Sequence, residues 1–302
     1  MNITTAPSFP IAVLRASRPR TLLTGMGPVF LGTALAVGPH TEPTMENFTI
    51  FTLCIFVTCL MQAGANLVND VKDFQNGTDT EMRLGPPRAV QQGWLTVEQG
   101  KKAYICCFIM ALLAGQMLVV KGGLPIFVTG LLCIAAAYLY TGGKYSLSRA
   151  GLGEVTALIF FGPVAVLGTY YLHTEILSTP TLLWSLGPGL TAAALMAINN
   201  YRDRNEDGLT GKNTLATRLS EKNAKRLPLF FLGGSLIIMA HFGLTTGKIQ
   251  SMLGFTALAL LLLFRRVWPP LQLQGKELNK ALGGAASFSF WYCLFFSLLV
   301  LA

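Results

Sequence analysis

The chain has 302 residues, of which 52% are apolar and only 12% charged, about half the charge of an ordinary soluble domain. That balance argues against a soluble fold, and a formal charge of +9 spread over so few ionisable residues needs no nucleic acid to explain it. The first ten residues, MNITTAPSFP, lack the basic start and short apolar core of a cleaved signal, so the N-terminus is expected to be retained. Apolar runs then follow at 21–38, 48–65, 103–120, 124–140, 155–172, 182–198, 227–244, 252–264 and 282–302. Most approach the ~20 residues that carry a helix across the hydrocarbon core; 252–264 is the shortest. The pattern predicts an all-α integral membrane protein of nine spans forming one membrane domain over residues 1–302.

Charge supports that count, because cytoplasmic loops are enriched in Lys and Arg. With nine spans and the N-terminus inside, all 23 basic residues except Lys121 and Lys248 fall on the cytoplasmic side. The opposite loops are short and carry Glu42, Glu46 and Glu175. A miscounted span would scramble this segregation. The chain is therefore expected to be multi-pass, with its N-terminus and its polar chemistry facing the cytoplasm.

That chemistry collects in two long cytoplasmic loops, 68–102 and 199–226. Both open with Asn and Asp where an apolar run ends: Asn66, Asn69, Asp70 and Asp73 in one, Asn199, Asn200, Asp203 and Asp207 in the other. The two openings stand four spans apart, which suggests two pseudo-repeats of about four helices plus a ninth. On a continuing helix, Asn66, Asp70 and Asp73 form one polar stripe, and Asn200, Asp203 and Asp207 another. Acids at a bilayer edge are costly unless they face a cavity, a partner or a cation. Asp79 follows the turn-like Asn76-Gly77 and could fold back as a further carboxylate. Five carboxylates converging with several amides suit a hard cation such as magnesium.

The same loops supply Lys72, Arg83, Arg88, Arg202, Lys212 and Arg218. Carboxylates that hold cations, interleaved with bases that grip oxyanions, are what a diphosphate–metal complex requires. A cation-coupled transporter is the rival reading, but its acids would lie at mid-membrane depth rather than at one face.

Asn69-Asp70-x-x-Asp73 with Asp79 beyond, and Asp203-x-x-x-Asp207 followed by Gly211-Lys212-Asn213-Thr214-Leu215, resemble the two aspartate-rich motifs of the UbiA prenyltransferase superfamily. Ser17-Arg18-Pro19-Arg20-Thr21-Leu22, Arg83-Leu84-Gly85-Pro86, Gln92-Gly93, Tyr140-Thr141 and Lys212-Asn213-Thr214-Leu215-Ala216-Thr217-Arg218-Leu219 look like its bacterial branch acting on 1,4-dihydroxy-2-naphthoate in menaquinone synthesis. The spacing from Asp73 to Asp79 favours that branch over the 4-hydroxybenzoate one; a tetrapyrrole is a third possible acceptor. Where the branch often has Leu-Gly-Asp, this chain has Leu152-Gly153-Glu154.

The resemblance implies a UbiA-type helical bundle around a central cavity capped by the two loops. It also implies magnesium-dependent transfer of a polyprenyl group from polyprenyl diphosphate to the naphthoate, with loss of carbon dioxide, giving demethylmenaquinone and diphosphate. Asp70, Asp73 and Asp79 would hold one ion and Asp203 and Asp207 another. Asn66, Asn69 and Asn200 would assist, while Arg18, Lys72, Arg83, Arg88, Lys212 and Arg218 would take the diphosphate or the naphthoate carboxylate. Tyr140, Lys144 and Glu154 would position or deprotonate the ring hydroxyl. No obligatory protein partner is expected.

Other features read more plainly. The six cysteines lie within apolar runs without metal-ligand spacing. Phe160-Phe161, Tyr170-Tyr171 and Phe295-Phe296 are expected to serve mainly bundle packing. Trp268-Pro269-Pro270 reads as a turn at the interface, and Gly122-Gly123 as a turn or a close approach of helices.

Overall fold

The computed structural model describes residues 7–39, 42, 44–77, 83–143 and 146–302. Asp79 and Lys144 therefore lie outside the described residues. A short helix α1 (Phe9–Ala16) precedes α2 (Pro19–Val37), α3 (Met45–Gln75), α4 (Val97–Leu139), α5 (Gly153–Thr174), α6 (Thr179–Arg202), α7 (Glu221–Thr245), α8 (Ile249–Leu271) and α9 (Gly275–Leu301). Helices α2 to α9 are each long and apolar enough to cross a membrane, and helix is the only open-chain way to satisfy the backbone there. Polar caps set their starts: the hydroxyls of Thr44, Ser178 and Ser220 accept backbone N–H groups, and Thr96 with Gln99 forms a capping box.

Helix α4 has 43 residues, about twice what one crossing needs. It is a hairpin. At Gly123 the backbone leaves the helix, with φ 63° and ψ −153°, a conformation only glycine adopts readily. Gly100 packs on Val71, yet Lys72 sits 4.9 Å over the Tyr138 ring, so both arms return to one end of α3. A straight helix would separate Gly100 from Tyr138 by about 57 Å. The expected runs 103–120 and 124–140 are the arms of this hairpin, and the Gly122-Gly123 pair is its tip.

The expected eighth run, 252–264, lies within the longer α8, which continues through a π-helical stretch, Leu263–Val267, into the helical turn Trp268–Leu271. Pro269 and Pro270 are accommodated because the first turn of a helix requires no N–H from them. The expectation of an interfacial turn there is corrected to helix. In α5, a second π-helical stretch spans Phe160–Leu167 around Pro163, whose ring and missing N–H disfavour a regular α turn.

Small residues let the helices approach. A Cβ on Gly162 would lie 2.7 Å from the Ser185 carbonyl of α6, and one on Gly189 2.4 Å from the Leu158 carbonyl of α5. The main core joins α6, α7, α8 and α9 through residues such as Ile198, Leu232, Met239, Phe288, Tyr292 and Phe296.

The bundle has two chemically distinct ends. At one, Lys121 beside the hairpin tip lies 2.9 Å from both Glu46 of α3 and Glu175 after α5, and His173 contacts Asn47 and Thr33, each at 3.2 Å. Lys248 reaches the Val300 carbonyl near that same end of α9. The Asn–Asp stripes stand at the other end. The expected loops also shorten: α3 runs to Gln75 and α6 to Arg202, so both stripes begin on helix.

Candidate functional site

A cavity of about 1480 Å³ opens at the stripe-bearing end and reaches deep between α2, α3, the α4 arms and α5. At its polar mouth, α3 contributes Asn66, Asn69 and Asp73. Asp73 is buried and receives Arg88 Nη2 at 2.7 Å. Asn66 donates to the Ser17 carbonyl at 2.9 Å, joining the stripe to the segment before α2, and Asn69 accepts the Thr141 hydroxyl.

Asp70 does otherwise. Its two oxygens accept the backbone N–H groups of Ala89 and Val90 at 2.9 and 3.1 Å, and it is absent from the cavity wall. Asp70 is buried and acts as an anchor for the loop that carries Arg88. The expected single stripe therefore divides, with Asp73 facing the cavity and Asp70 facing the loop.

The second stripe behaves more nearly as expected. Asn199, Asn200, Asp203 and Asp207 all line the cavity. Arg202 grips Asp203 through Nε and Nη2 at 2.7 and 2.6 Å, and also donates to Asn199 and to Asn279 of α9. Asn279 in turn donates to the Leu84 carbonyl at 2.8 Å, tying the two loops together. Asp207, on the short helix Arg204–Leu209, lies 3.4 Å from Lys212. Burial pushes its carboxyl up to about 6; Lys212 opposes that rise and Asp203 adds to it.

Arg18, Arg83, Arg88 and Lys212 line the cavity as expected, and Tyr140 does too, its hydroxyl directed to the Met196 sulfur at 3.0 Å. Two expected bases do not. Lys72 lies over the Tyr138 ring, and Arg218 donates to Asn213 and to the Ala150 carbonyl at 2.9 Å each, bracing one loop against another. Glu154 is buried behind the wall, where Oε1 accepts Asn200 Nδ2 at 2.9 Å. Its place is beside Asn200, one layer from the cavity.

Arg202, expected among the bases of the second loop, also lines the mouth, and residues given no role from sequence complete it: Arg15, stacked 5.3 Å over Trp94, with Arg20 and Asn279. Asn279 had a faint signal, as a polar residue just ahead of an apolar run. Beyond the mouth the wall turns apolar, with Phe160 and Phe161 of α5 among its residues, whereas Phe296 is buried in the main core. One compartment thus offers acids and bases at one end and an apolar channel at the other.

Asp73, Asp203 and Asp207, with the amide oxygens of Asn69, Asn199 and Asn200, form an oxygen-rich donor set that fits a hard cation. Among the described residues, no three of Asp, Glu, His and Cys stand close enough to hold a metal unaided. Magnesium takes one or two carboxylates and completes its shell with water and substrate phosphate.

A sequence profile of the UbiA prenyltransferase family matches residues 25–300. The chain belongs to that family. The 1,4-dihydroxy-2-naphthoate octaprenyltransferases of Haemophilus influenzae and Escherichia coli are 35% and 36% identical to it, over 76% and 77% of this chain and 76% of each relative. That of Mycobacterium tuberculosis is 34% identical over 70% of both. Among solved structures, a UbiA homolog from Archaeoglobus fulgidus bound to DMAPP and Mg2+ superposes with a TM-score of 0.62 at 14% identity, covering 95% of this chain and 98% of that one. The apo UbiA homolog from Aeropyrum pernix K1 gives 0.64 at 15% identity, covering 89% and 96%. This UbiA chain is thus a multi-pass membrane prenyltransferase by family and fold.

Proposed function

We propose that this UbiA-family chain transfers a polyprenyl group from polyprenyl diphosphate to 1,4-dihydroxy-2-naphthoate, releasing diphosphate and carbon dioxide and producing demethylmenaquinone in its reduced, hydroquinone form. The observation that carries the reading is the single compartment in which Asp73, Asp203 and Asp207, flanked by arginines, open onto an apolar channel. The acceptor is inferred from the names of relatives about one-third identical to the chain.

Asp73 with Asn69, and Asp203 with Asp207, are the groups that would hold magnesium. Asp79 remains part of this proposal, outside the described residues; Asp70 serves it as an anchor rather than a ligand. Magnesium, when bound with the diphosphate, supplies Lewis-acid assistance to the departing oxygen. Arg88, Arg202 and Lys212, now paired to these acids, would turn toward diphosphate oxygens, and Arg15, Arg18, Arg20 and Arg83 could take the acceptor's carboxylate. Apolar walls keep water from the allylic carbon as its bond to oxygen breaks. The ring carbon bearing the carboxylate then bonds to that carbon, and loss of carbon dioxide returns an electron pair to the ring.

The charge segregation supports a cytoplasmic mouth in the inner membrane. The matched Asn–Asp stripes on α3 and α6 support two four-span pseudo-repeats and a ninth span. The test is an acceptor panel: purified protein in liposomes with magnesium and octaprenyl diphosphate, offered the naphthoate, 4-hydroxybenzoate or a tetrapyrrole. Turnover with the naphthoate alone is expected; turnover only with another acceptor would overturn the acceptor while keeping the chemistry.

A further inference from the structure

Four glycines on the cavity wall are explained by neither conformation nor packing: Gly283, one helical turn from Asn279 at the mouth, and three in the apolar channel. Gly115 on the first α4 arm, Gly130 on the second and Gly168 on α5 all line the cavity, and a Cβ added to any of them would meet no atom within 4 Å. None has a positive φ. Each sits inside a helix, where glycine costs about 1 kcal/mol relative to alanine. The close-approach glycines Gly162 and Gly189 have backbone partners under 3 Å from a modest side chain; these three do not.

Helical phase places each at the middle of a cavity-facing strip. Gly115 is flanked on the wall by Ala111, Leu112, Gln116 and Val119, and Gly130 by Ile126, Cys133, Ile134 and Ala137. Gly168 continues the row of Phe161, Val164 and Ala165. They also share a depth. Gly115 and Gly130 lie about 11 Å from the hairpin tip along their arms, and Gly168 stands a similar distance from Glu175, which meets Lys121 at that tip. Since Gly64 meets Phe108 and Gly100 meets Val71, Gly115 lies opposite Val57 of α3, about 24 Å along that helix from Asp73.

We propose that Gly115, Gly130 and Gly168 form a collar without side chains in the channel, which leaves room for the distal part of a long isoprenoid chain and so sets the chain length the enzyme accepts. This rests on the prenyl-transfer reading above. A short chain anchored by its diphosphate at Asp73 ends before the collar; a long one must pass it. The space is kept open at the expense of helix stability because a ligand needs it.

The experiment compares kcat/KM for geranyl and octaprenyl diphosphate in the unsubstituted enzyme and in G115L, G130L and G168L, with the alanine variants alongside. The leucine variants should lose about tenfold or more with octaprenyl diphosphate while keeping geranyl turnover within about twofold. The alanine variants should unfold at higher temperature in detergent, because the helix gains without a clash. Equal loss with both substrates, or undiminished octaprenyl turnover in all three leucine variants, would overturn the collar alone. Failure of the unsubstituted enzyme to use either diphosphate would overturn the prenyl-transfer reading, and the collar with it.

Discussion

Replacing Asp70 separates an anchor from a metal ligand. Its carboxylate satisfies two backbone N–H groups, of Ala89 and Val90, which are themselves 1% and 5% exposed. Asp70→Ala leaves both without an acceptor, at about 1–3 kcal/mol each, or ~2–6 kcal/mol in all. Asp70→Asn retains one oxygen and should cost roughly half of that. The loop released carries Arg88, so Asp70→Ala should also lose much of its turnover. The assays are thermal unfolding in detergent and the magnesium concentration for half-maximal rate. We expect both Asp70 variants to be destabilised in that order, with Asp70→Asn keeping a near-normal magnesium requirement, whereas Asp73→Asn should raise the requirement sharply. A large rise in magnesium requirement for Asp70→Asn with an unchanged unfolding temperature would refute the assignment of Asp70 as an anchor.

Asp203→Asn should reduce kcat by at least about a hundredfold, since it removes a proposed metal contact and leaves the buried Arg202 without its bidentate partner; insertion into the membrane should persist, as fractionation would show. Glu154→Gln preserves an oxygen for Asn200 Nδ2 and should keep most turnover, while Glu154→Ala should raise KM for the acceptor or the diphosphate; equal loss in both variants would point to the carboxyl proton instead. Gly284→Ala would place a Cβ 1.9 Å from the Arg266 carbonyl, forcing α8 from α9, and should cut the yield of folded protein in detergent severely. Lys121→Met, at the end far from the mouth, should leave kcat/KM for geranyl diphosphate unchanged in the same steady-state assay.

Much of the architecture is legible in the sequence because a bilayer imposes one solution. Length and apolarity mark the crossing helices, and the α4 hairpin is visible as two runs meeting at Gly122-Gly123. The second acidic stripe is legible too, since Asn200, Asp203 and Asp207 face one cavity. The first stripe is only partly so. Asn66, Asp70 and Asp73 fall within about 60° of arc on a helix, and periodicity cannot say that a loop from residues 88–90 packs on one flank of that arc and takes Asp70 out of the cavity. Arg218 and Glu154 differ from expectation for the same reason: their partners, Ala150 and Asn200, are 68 and 46 positions away in the chain. The glycines of the channel are visible as letters, but their purpose depends on which helix faces are left without neighbours.

The most direct test of the account supplies the protein in liposomes with magnesium, octaprenyl diphosphate and 1,4-dihydroxy-2-naphthoate labelled in its carboxyl group, and counts prenylated product and labelled carbon dioxide together. The account predicts equal amounts of both, abolished by a chelator and restored by magnesium. Prenylated product that retains the label, or turnover indifferent to the chelator, would contradict it.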